Sequence, residues 1–291
     1  MSDEYERRTG GASDRLRHLY RVAGARRLRH VDAAVRAVYV EWQRWRFATL
    51  LASDLESYRA YRRADRRGGH AHGATERVRV KPLGGHAVEL RPGTSDAQML
   101  RETFRDNVHR PERTARARTI VDIGANIGIT VADNALRHPN ARIVAVELDA
   151  GNVELARRNT ARWADRVQLM HGAAWVEDGE ITYVAEHGQE FGFFVDAGGE
   201  ATAPAFSMAT ILSHVPADER IDFLKMDVEG VEAKLLVPAT PHWADRVDEI
   251  ALQVHHDYTI EDCVRDLTAL GFDAARDPRR IDFVRGQRSA G

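Results

Sequence analysis

Val121-Asp122-Ile123-Gly124-Ala125-Asn126-Ile127-Gly128 is the stretch on which the reading of this chain turns. Thr119–Ile123 is a β-branched run of strand type, and Gly128–Arg137 follows it with apolar residues at helical spacing. A strand that feeds a helix through a glycine turn is the opening unit of a parallel α/β sheet. Gly124 and Gly128 let the backbone turn tightly and approach a ligand at the head of the helix. The dinucleotide fingerprint Gly-x-Gly-x-x-Gly is not met, because Asn126 and Ile129 stand where its second and third glycines belong. Asp122, just before the turn, repels a phosphate. A turn of this kind suits a cationic ligand.

Outward from this unit the alternation continues. Arg142–Glu147 reads as a strand, 152–163 as a helix, 167–170 and 181–184 as strands. A strand at 221–226, a short helix at 231–236, a strand at 249–254 and a helix at 260–270 follow. Residues 272–275 and 281–285 read as a closing antiparallel pair. This rhythm predicts an α/β fold with a mostly parallel sheet, helices on both faces and ligands beyond the carboxyl ends of the strands. The glycine-rich segment 185–206, with Phe191, Phe193 and Phe194, is expected to be a long loop over the ligand.

Upstream, residues 77–80 and 86–91 read as a hairpin around Gly84-Gly85. Thr94, Ser95 or Asp96 is placed to cap a helix through Met99, Leu100 and Phe104. Residues 13–66 read as helix broken near Gly24, with Val31, Val35, Val38, Trp42 and Trp45 on one apolar face. The segment Arg62–Glu76 reads as a linker, and His70 and His72 within it as loop residues, not metal ligands. Three parts result: an N-terminal helical extension (1–75), a hairpin and helix leading into the core (76–117), and the ligand-binding domain (118–291).

The 291 residues carry a formal net charge of -2, which hides a split. Residues 1–118 hold 26 Arg plus Lys against 15 Asp plus Glu, and the remainder holds 16 against 29. Attraction between the two parts, a subunit contact or nucleic-acid binding would each use that split. Nucleic-acid binding is disfavoured, because Trp42 and Trp45 at helical spacing read as packing residues, not as a stacking platform. Cys263 is the single cysteine, so no internal disulfide forms. No run of about 18 apolar residues and no basic-then-apolar leader is present, and a soluble cytoplasmic protein without membrane contact is expected.

The second strand ends in Val146-Glu147-Leu148-Asp149, where a carboxylate can accept hydrogen bonds from both ribose hydroxyls of a nucleoside. With the acidic turn, that points to S-adenosylmethionine, which carries an ammonium and a sulfonium. His171-Gly172-Ala173-Ala174-Trp175 ends the third strand, and its small residues leave space for a flat adenine ring. The strand after the loop ends in Leu224-Lys225-Met226-Asp227-Val228-Glu229-Gly230-Val231-Glu232. Asp227 and Glu229 there bind the methionine ammonium, orient an acceptor or hold a divalent cation, and the spacing does not choose among these. The Asn/Asp-Pro-Pro-aromatic motif of nucleobase methylation is missing from this point. His255, at the end of the next strand, reads equally as a general base or as a structural histidine bonded to a loop carbonyl.

The motifs at 121–128, 146–149 and 224–232 resemble those of the FkbM family of S-adenosylmethionine-dependent methyltransferases. Leu90-Arg91-Pro92-Gly93-Thr94-Ser95-Asp96 is similar to the segment that precedes the family's first core strand. The resemblance implies a class I methyltransferase-like (Rossmann-like), mostly parallel seven-stranded sheet, and O-methylation of a sugar or secondary-metabolite hydroxyl. By match of motif, Asp122, Gly124, Asn126, Gly128 and Glu147 are the expected cofactor residues, with Leu148, Ala173 and Ala174 beside them. Asp227 is expected near the reacting end, and Asp227, Glu229 and His255 are the candidate catalytic residues. Thr210-Ile211-Leu212 departs from the family's frequent Thr-Leu-Asp, so any role of that aspartate is missing. N-methylation of a small amine, a nucleic-acid-binding protein and a cofactor-binding subunit without activity are the alternatives. The N-terminal helices are read as a lid or a homodimer contact, and whether a metal is bound stays open.

Overall fold

A hairpin of β1 (Glu76–Val80) and β2 (His86–Leu90) precedes the core, as the Gly84-Gly85 pair predicts. These strands and those that follow belong to a computed structural model of the chain, which describes residues 42, 45, 46, 48–65, 74–113, 115–185, 193–195, 201–236 and 241–288. In the main sheet β3 (Thr119–Ile123), β4 (Arg142–Glu147) and β5 (Val167–His171) run parallel on one side. On the other side of β3 lie β10 (Phe223–Met226), then β11 (Glu249–Gln253), also parallel. The antiparallel β13 (Phe283–Gln287) follows β11, and β12 (Asp273–Arg276) forms the edge. The strand order is β12-β13-β11-β10-β3-β4-β5.

Every residue of β3 is buried, as a central strand covered on both faces requires. Val121, Ile123, Val144, Val146, Leu224, Met226, Ile250 and Leu252 pack in one apolar cluster across the neighbouring strands. Chain order runs outward from β3 through β4 to β5, then resumes on the opposite side at β10. The crevice beyond the carboxyl ends of β3 and β10 is therefore the switch point at which open α/β sheets bind ligands.

The helices begin where side chains meet their free backbone donors. In α1 (Leu55–Ala64) Asp54 accepts from Ser57 N, and the helix buries Ser57, Ala60, Tyr61 and Ala64. The next helix, α2 (Asp96–Asp106), starts at Ser95, with Thr94 Oγ1 accepting from Asp96 N. Then α3 (Ile129–Arg137) starts at Gly128. Asp149 caps α4 (Ala150–Thr160) and Ser207 caps α5 (Met208–Leu212). After the short α6 (Glu232–Leu236), Thr259 caps α7 (Ile260–Ala269).

Several expectations change. Compact packing places α1 in the unit of residues 48–291. The tie is visible where Tyr61 Oη donates to Ala97 O at 3.2 Å. Because α1 continues to Ala64 and β1 begins at Glu76, the expected linker at 62–76 shortens from both ends, and its histidines lie outside the described residues. So do Val31, Val35 and Val38. Trp42 and Trp45 are 39% and 52% exposed, against the packed positions expected for them.

Residues 185–206 are not one long loop. They contribute β8 (Phe193–Val195) and most of β9 (Ala201–Ser207), which join β6 (Ala173–Trp175) and β7 (Gly179–Ala185) in a second sheet of order β6-β9-β7-β8. In β9 Ala203 and Ala205 are buried while Thr202 and Pro204 are exposed, a period-two pattern written in small residues.

Candidate active site

The turn after β3 is clamped between its two neighbours. Gly124 N and Ala125 N both donate to Val146 O, at 2.9 and 3.0 Å, and Asp227 N donates to Ile123 O at 2.9 Å. Gly124 has φ +83°, and a Cβ there would fall 1.8 Å from the Asp227 carbonyl oxygen, so only glycine fits. Gly128 serves another purpose. A Cβ at Gly128 would sit 3.1 Å from Ala156 Cα, so this glycine lets α3 pack closely on α4 and does not itself line the cleft.

Asn126 turns through left-handed backbone, φ +49°, held by its own Oδ1 accepting from Ile127 N at 2.7 Å. That geometry aims Asn126 N at Glu147 Oε2, 2.7 Å away. The other oxygen of Glu147 accepts from Asp149 N at 2.9 Å and Asn152 Nδ2 at 3.2 Å. Burial raises the pKa of Glu147, while the Asp149, Asn152 and Asn126 donors favour its charged form. Asn152 is held in turn by Arg91 Nη2 at 2.6 Å, and Arg91 by the fully buried Asp96 at 2.8 Å. The segment 90–96 thus orients the strand-end carboxylate through two relays.

Asp122 does not face the ligand space. Its side chain is wholly buried, accepts from Thr130 Oγ1 at 2.5 Å and lies 3.2 Å from Lys225 Nζ. Lys225, buried as well, donates to Gly124 O at 2.8 Å and stands 3.6 Å from Asp227 Oδ2. Burial works against its charge, and the Asp122 and Asp227 carboxylates outweigh that, raising the ammonium pKa. The acidic turn is therefore neutralised by a lysine of the chain itself, a correction to the direct cofactor contact expected of Asp122.

Asp227 and Glu229 follow β10, and His255 follows β11. His255 Nε2 points between them, 3.6 Å from Asp227 Oδ1 and 3.5 Å from Glu229 Oε2. Its Nδ1 is bonded to Glu232 Oε1 at 2.6 Å, and Glu232, fully buried at the start of α6, also accepts from Gly230 N at 2.9 Å. Burial alone would lower the His255 pKa, but Glu232 and then Asp227 and Glu229 push it up to about 9. Burial and the nearby Asp227 charge push Glu229 up to about 7. Three carboxylates that favour the charged imidazole work against the general-base role expected of His255. It is the carboxylate partner, not a loop carbonyl, that fixes the ring.

These groups share one cleft of about 460 Å³. It brings together Gly124, Asn126, Glu147, Leu148, Ala173, Ala174, Asp227, Glu229 and His255, while Asp122 and Gly128 stay behind its wall. Gln98, Met99, Glu102 and Thr103 of α2 also line it, together with Arg280 and Phe283. Sequence reasoning passed over Asn152, Lys225 and Glu232. The last two stand inside the quoted 224–232 motif, yet their partners come from β3 and β11, far away in the chain.

A parallel sheet in this order, a glycine turn at its switch point and a carboxylate ending the adjacent strand define a class I S-adenosylmethionine-dependent methyltransferase. The chain belongs to the FkbM methyltransferase family: the Methyltransferase FkbM domain matches residues 122–274. S-adenosylmethionine is its cofactor. Among solved structures it is similar to precorrin-6y C5,15-methyltransferase of Geobacter metallireducens, 16% identical, TM-score 0.40, covering 64% of this chain and 87% of that one. Another is the pyocyanin biosynthetic protein PhzM, 15% identical, TM-score 0.40, covering 65% of this chain and 56% of that one. A third, Aeropyrum pernix fibrillarin with natively bound S-adenosyl-L-methionine, is 15% identical, TM-score 0.38, covering 59% of this chain and 66% of that one. A search of curated proteins gives no match.

Proposed function

We propose that the enzyme methylates a hydroxyl of a small secondary metabolite or sugar, in the cytoplasm. In this reading Glu147 takes the ribose hydroxyls, Leu148, Ala173 and Ala174 bound the adenine, and Gly124 and Asn126 bracket the methionine end. The observation that carries it is the Asp227, Glu229 and His255 cluster at the far end of the same cleft.

Methyl transfer is an in-line displacement: the acceptor O–C bond forms as the C–S bond breaks, and neutral S-adenosylhomocysteine leaves. Alignment of acceptor and methyl carbon supplies much of the rate, potentially ~7–11 kcal/mol. An alcohol must also lose its proton, and with His255 charged that proton goes to a carboxylate. Glu229, pushed up to about 7, is matched to neutral pH for this work. A neutral amine acceptor would need no such group.

The test is product analysis. Methyl-labelled S-adenosylmethionine is incubated with a panel of glycosides, polyols and phenols beside matched amines. O-methyl products from the hydroxyl series support the proposal, and turnover of amines alone overturns it.

A further inference from the structure

We propose that Asp227, Glu229 and His255 form a site for one divalent cation at the acceptor end of the cleft. One ligand atom from each lies within 4.8 Å of the others. The two contacts made by the imidazole, 3.6 and 3.5 Å, approach the edge of about 3 Å between adjacent ligands on an ion with bonds near 2.1 Å. The Asp227 and Glu229 oxygens are bounded by the 4.8 Å span, so closing the set around an ion takes movement of these two carboxylates, which are 20% and 24% exposed.

The histidine supplies an independent observation. Its Nε2 is shut off from solvent and makes no hydrogen bond, although it points into the gap between two carboxylates. The opposite nitrogen is tied to the buried Glu232, whose second oxygen is tied to Gly230 N. A carboxylate behind a histidine orients the ring, the arrangement found behind metal-ligating histidines, and a cation bound here would displace the Nε2 proton and take that nitrogen's lone pair. Asp122, Asp227, Glu229 and Glu232 stand around the site against the Lys225 ammonium and the His255 imidazolium, while Arg280 on the cleft wall is already paired with Glu102, Asp106 and Asp282.

One imidazole with two carboxylates suits a first-row ion such as Mn²⁺ better than the all-oxygen cages of Ca²⁺. Three protein ligands leave coordination positions open toward the cleft, where an acceptor oxygen would be held and made more acidic. That use of the ion rests on the methyl-transfer reading; the site itself does not. In the loaded site Glu229 would be a ligand and not the proton acceptor; the ion would lower the hydroxyl pKa, and the hydroxyl proton would leave to solvent water.

The experiment titrates chelator-treated protein with Mn²⁺ and follows free ion by electron paramagnetic resonance. One stoichiometric site is expected, lost in His255→Gln and weakened ~10- to 100-fold in Glu232→Gln, which touches the histidine and not the ion. Glu229→Gln, a more exposed change, should weaken it too and serves if the buried variants fail to fold. No stoichiometric binding by wild type, or binding that Glu229→Gln and His255→Gln leave unchanged, overturns the proposal. S-adenosylhomocysteine calorimetry on the same samples separates the two readings: cofactor bound without Mn²⁺ defeats only this site, and Mn²⁺ bound without cofactor defeats only the proposed activity.

Discussion

Replacing Glu147 by glutamine changes one oxygen into an amide and nothing in shape, so the outcome follows from counting donors. The carboxylate accepts from Asn126 N on one oxygen and from Asp149 N and Asn152 Nδ2 on the other. Glutamine can keep the second pair only by turning its own NH₂ toward Asn126 N, which places donor against donor at a 2.7 Å spacing. A buried amide left without an acceptor costs ~1–3 kcal/mol, and that loss falls on the glycine turn itself. The ribose hydroxyl also loses a charged acceptor, worth ~1.5–3 kcal/mol, or roughly 10- to 100-fold in affinity. Calorimetry with S-adenosylhomocysteine, beside urea unfolding of the free protein, measures both. The expected result is weaker binding by that factor together with a lower unfolding midpoint. Unchanged affinity in a variant that folds normally would refute the ribose assignment, and unchanged stability would refute the role of Glu147 in holding Asn126.

Gly128→Ala should behave in the opposite way. It forces φ +80° on a residue with a Cβ and presses that Cβ on Ala156, so stability falls by ~1–3 kcal/mol while S-adenosylhomocysteine affinity is retained; weakened binding in the folded variant would return Gly128 to the ligand site. Glu229→Gln should lower kcat by roughly 10²–10⁴-fold with cofactor affinity unchanged, since it acts on the acceptor side; a kcat within twofold of wild type would exclude it from catalysis. Cys263, buried and pushed up to about 12 chiefly by that burial, should resist thiol reagents in the native protein and react once unfolded. Acid should weaken the fold in two stages. Burial holds His109 below the usual histidine range, so the unfolded chain binds more protons and stability falls as pH drops through ~6.5. Asp133, ionised through His109, Arg110 and Arg137 against the penalty of burial, loses its contribution only below ~4. Because Glu229 gains stability over the same range, the first stage is read as a difference, and a pH dependence of the midpoint that His109→Gln leaves unchanged would contradict it.

The main sheet was legible because its signals are local. Thr119–Ile123 and Arg142–Glu147 are strands at the residues where β-branched runs place them, and glycine marks the turn that follows β3. The second sheet was not legible, since β9 alternates alanine with threonine and proline, a contrast too shallow to separate from loop composition. Trp42 and Trp45 misled for a related reason: helical spacing reports that two residues share a face, not that anything covers it. At the site, residue types picked out groups that share one cleft but not their charge state. His255 reads as a neutral base in isolation, and only the folded neighbourhood of Glu232, Asp227 and Glu229 makes it cationic.

The run from Lys225 to Glu232 illustrates why spacing carried more than any one residue. Lys225 within β10 and Asp227 and Glu229 beyond its end all line the cleft. Lys225 is the least exposed of the three, lying 3.2 Å from Asp122 beneath the turn and 3.6 Å from Asp227 above it. Glu229 leaves the strand through left-handed backbone, φ +52°, and Gly230 follows at +104° with His256 packed against it, where a Cβ would meet Cδ2 at 2.7 Å. That reversal returns the chain so that Glu232, at the first position of α6, reaches the back of His255. One short segment thus braces the glycine turn, presents two carboxylates to the cleft and orients a histidine that follows another strand. A single-residue insertion between Asp227 and Glu232 would break the last of these first, because the Glu232–His255 bond at 2.6 Å depends on the whole reversal.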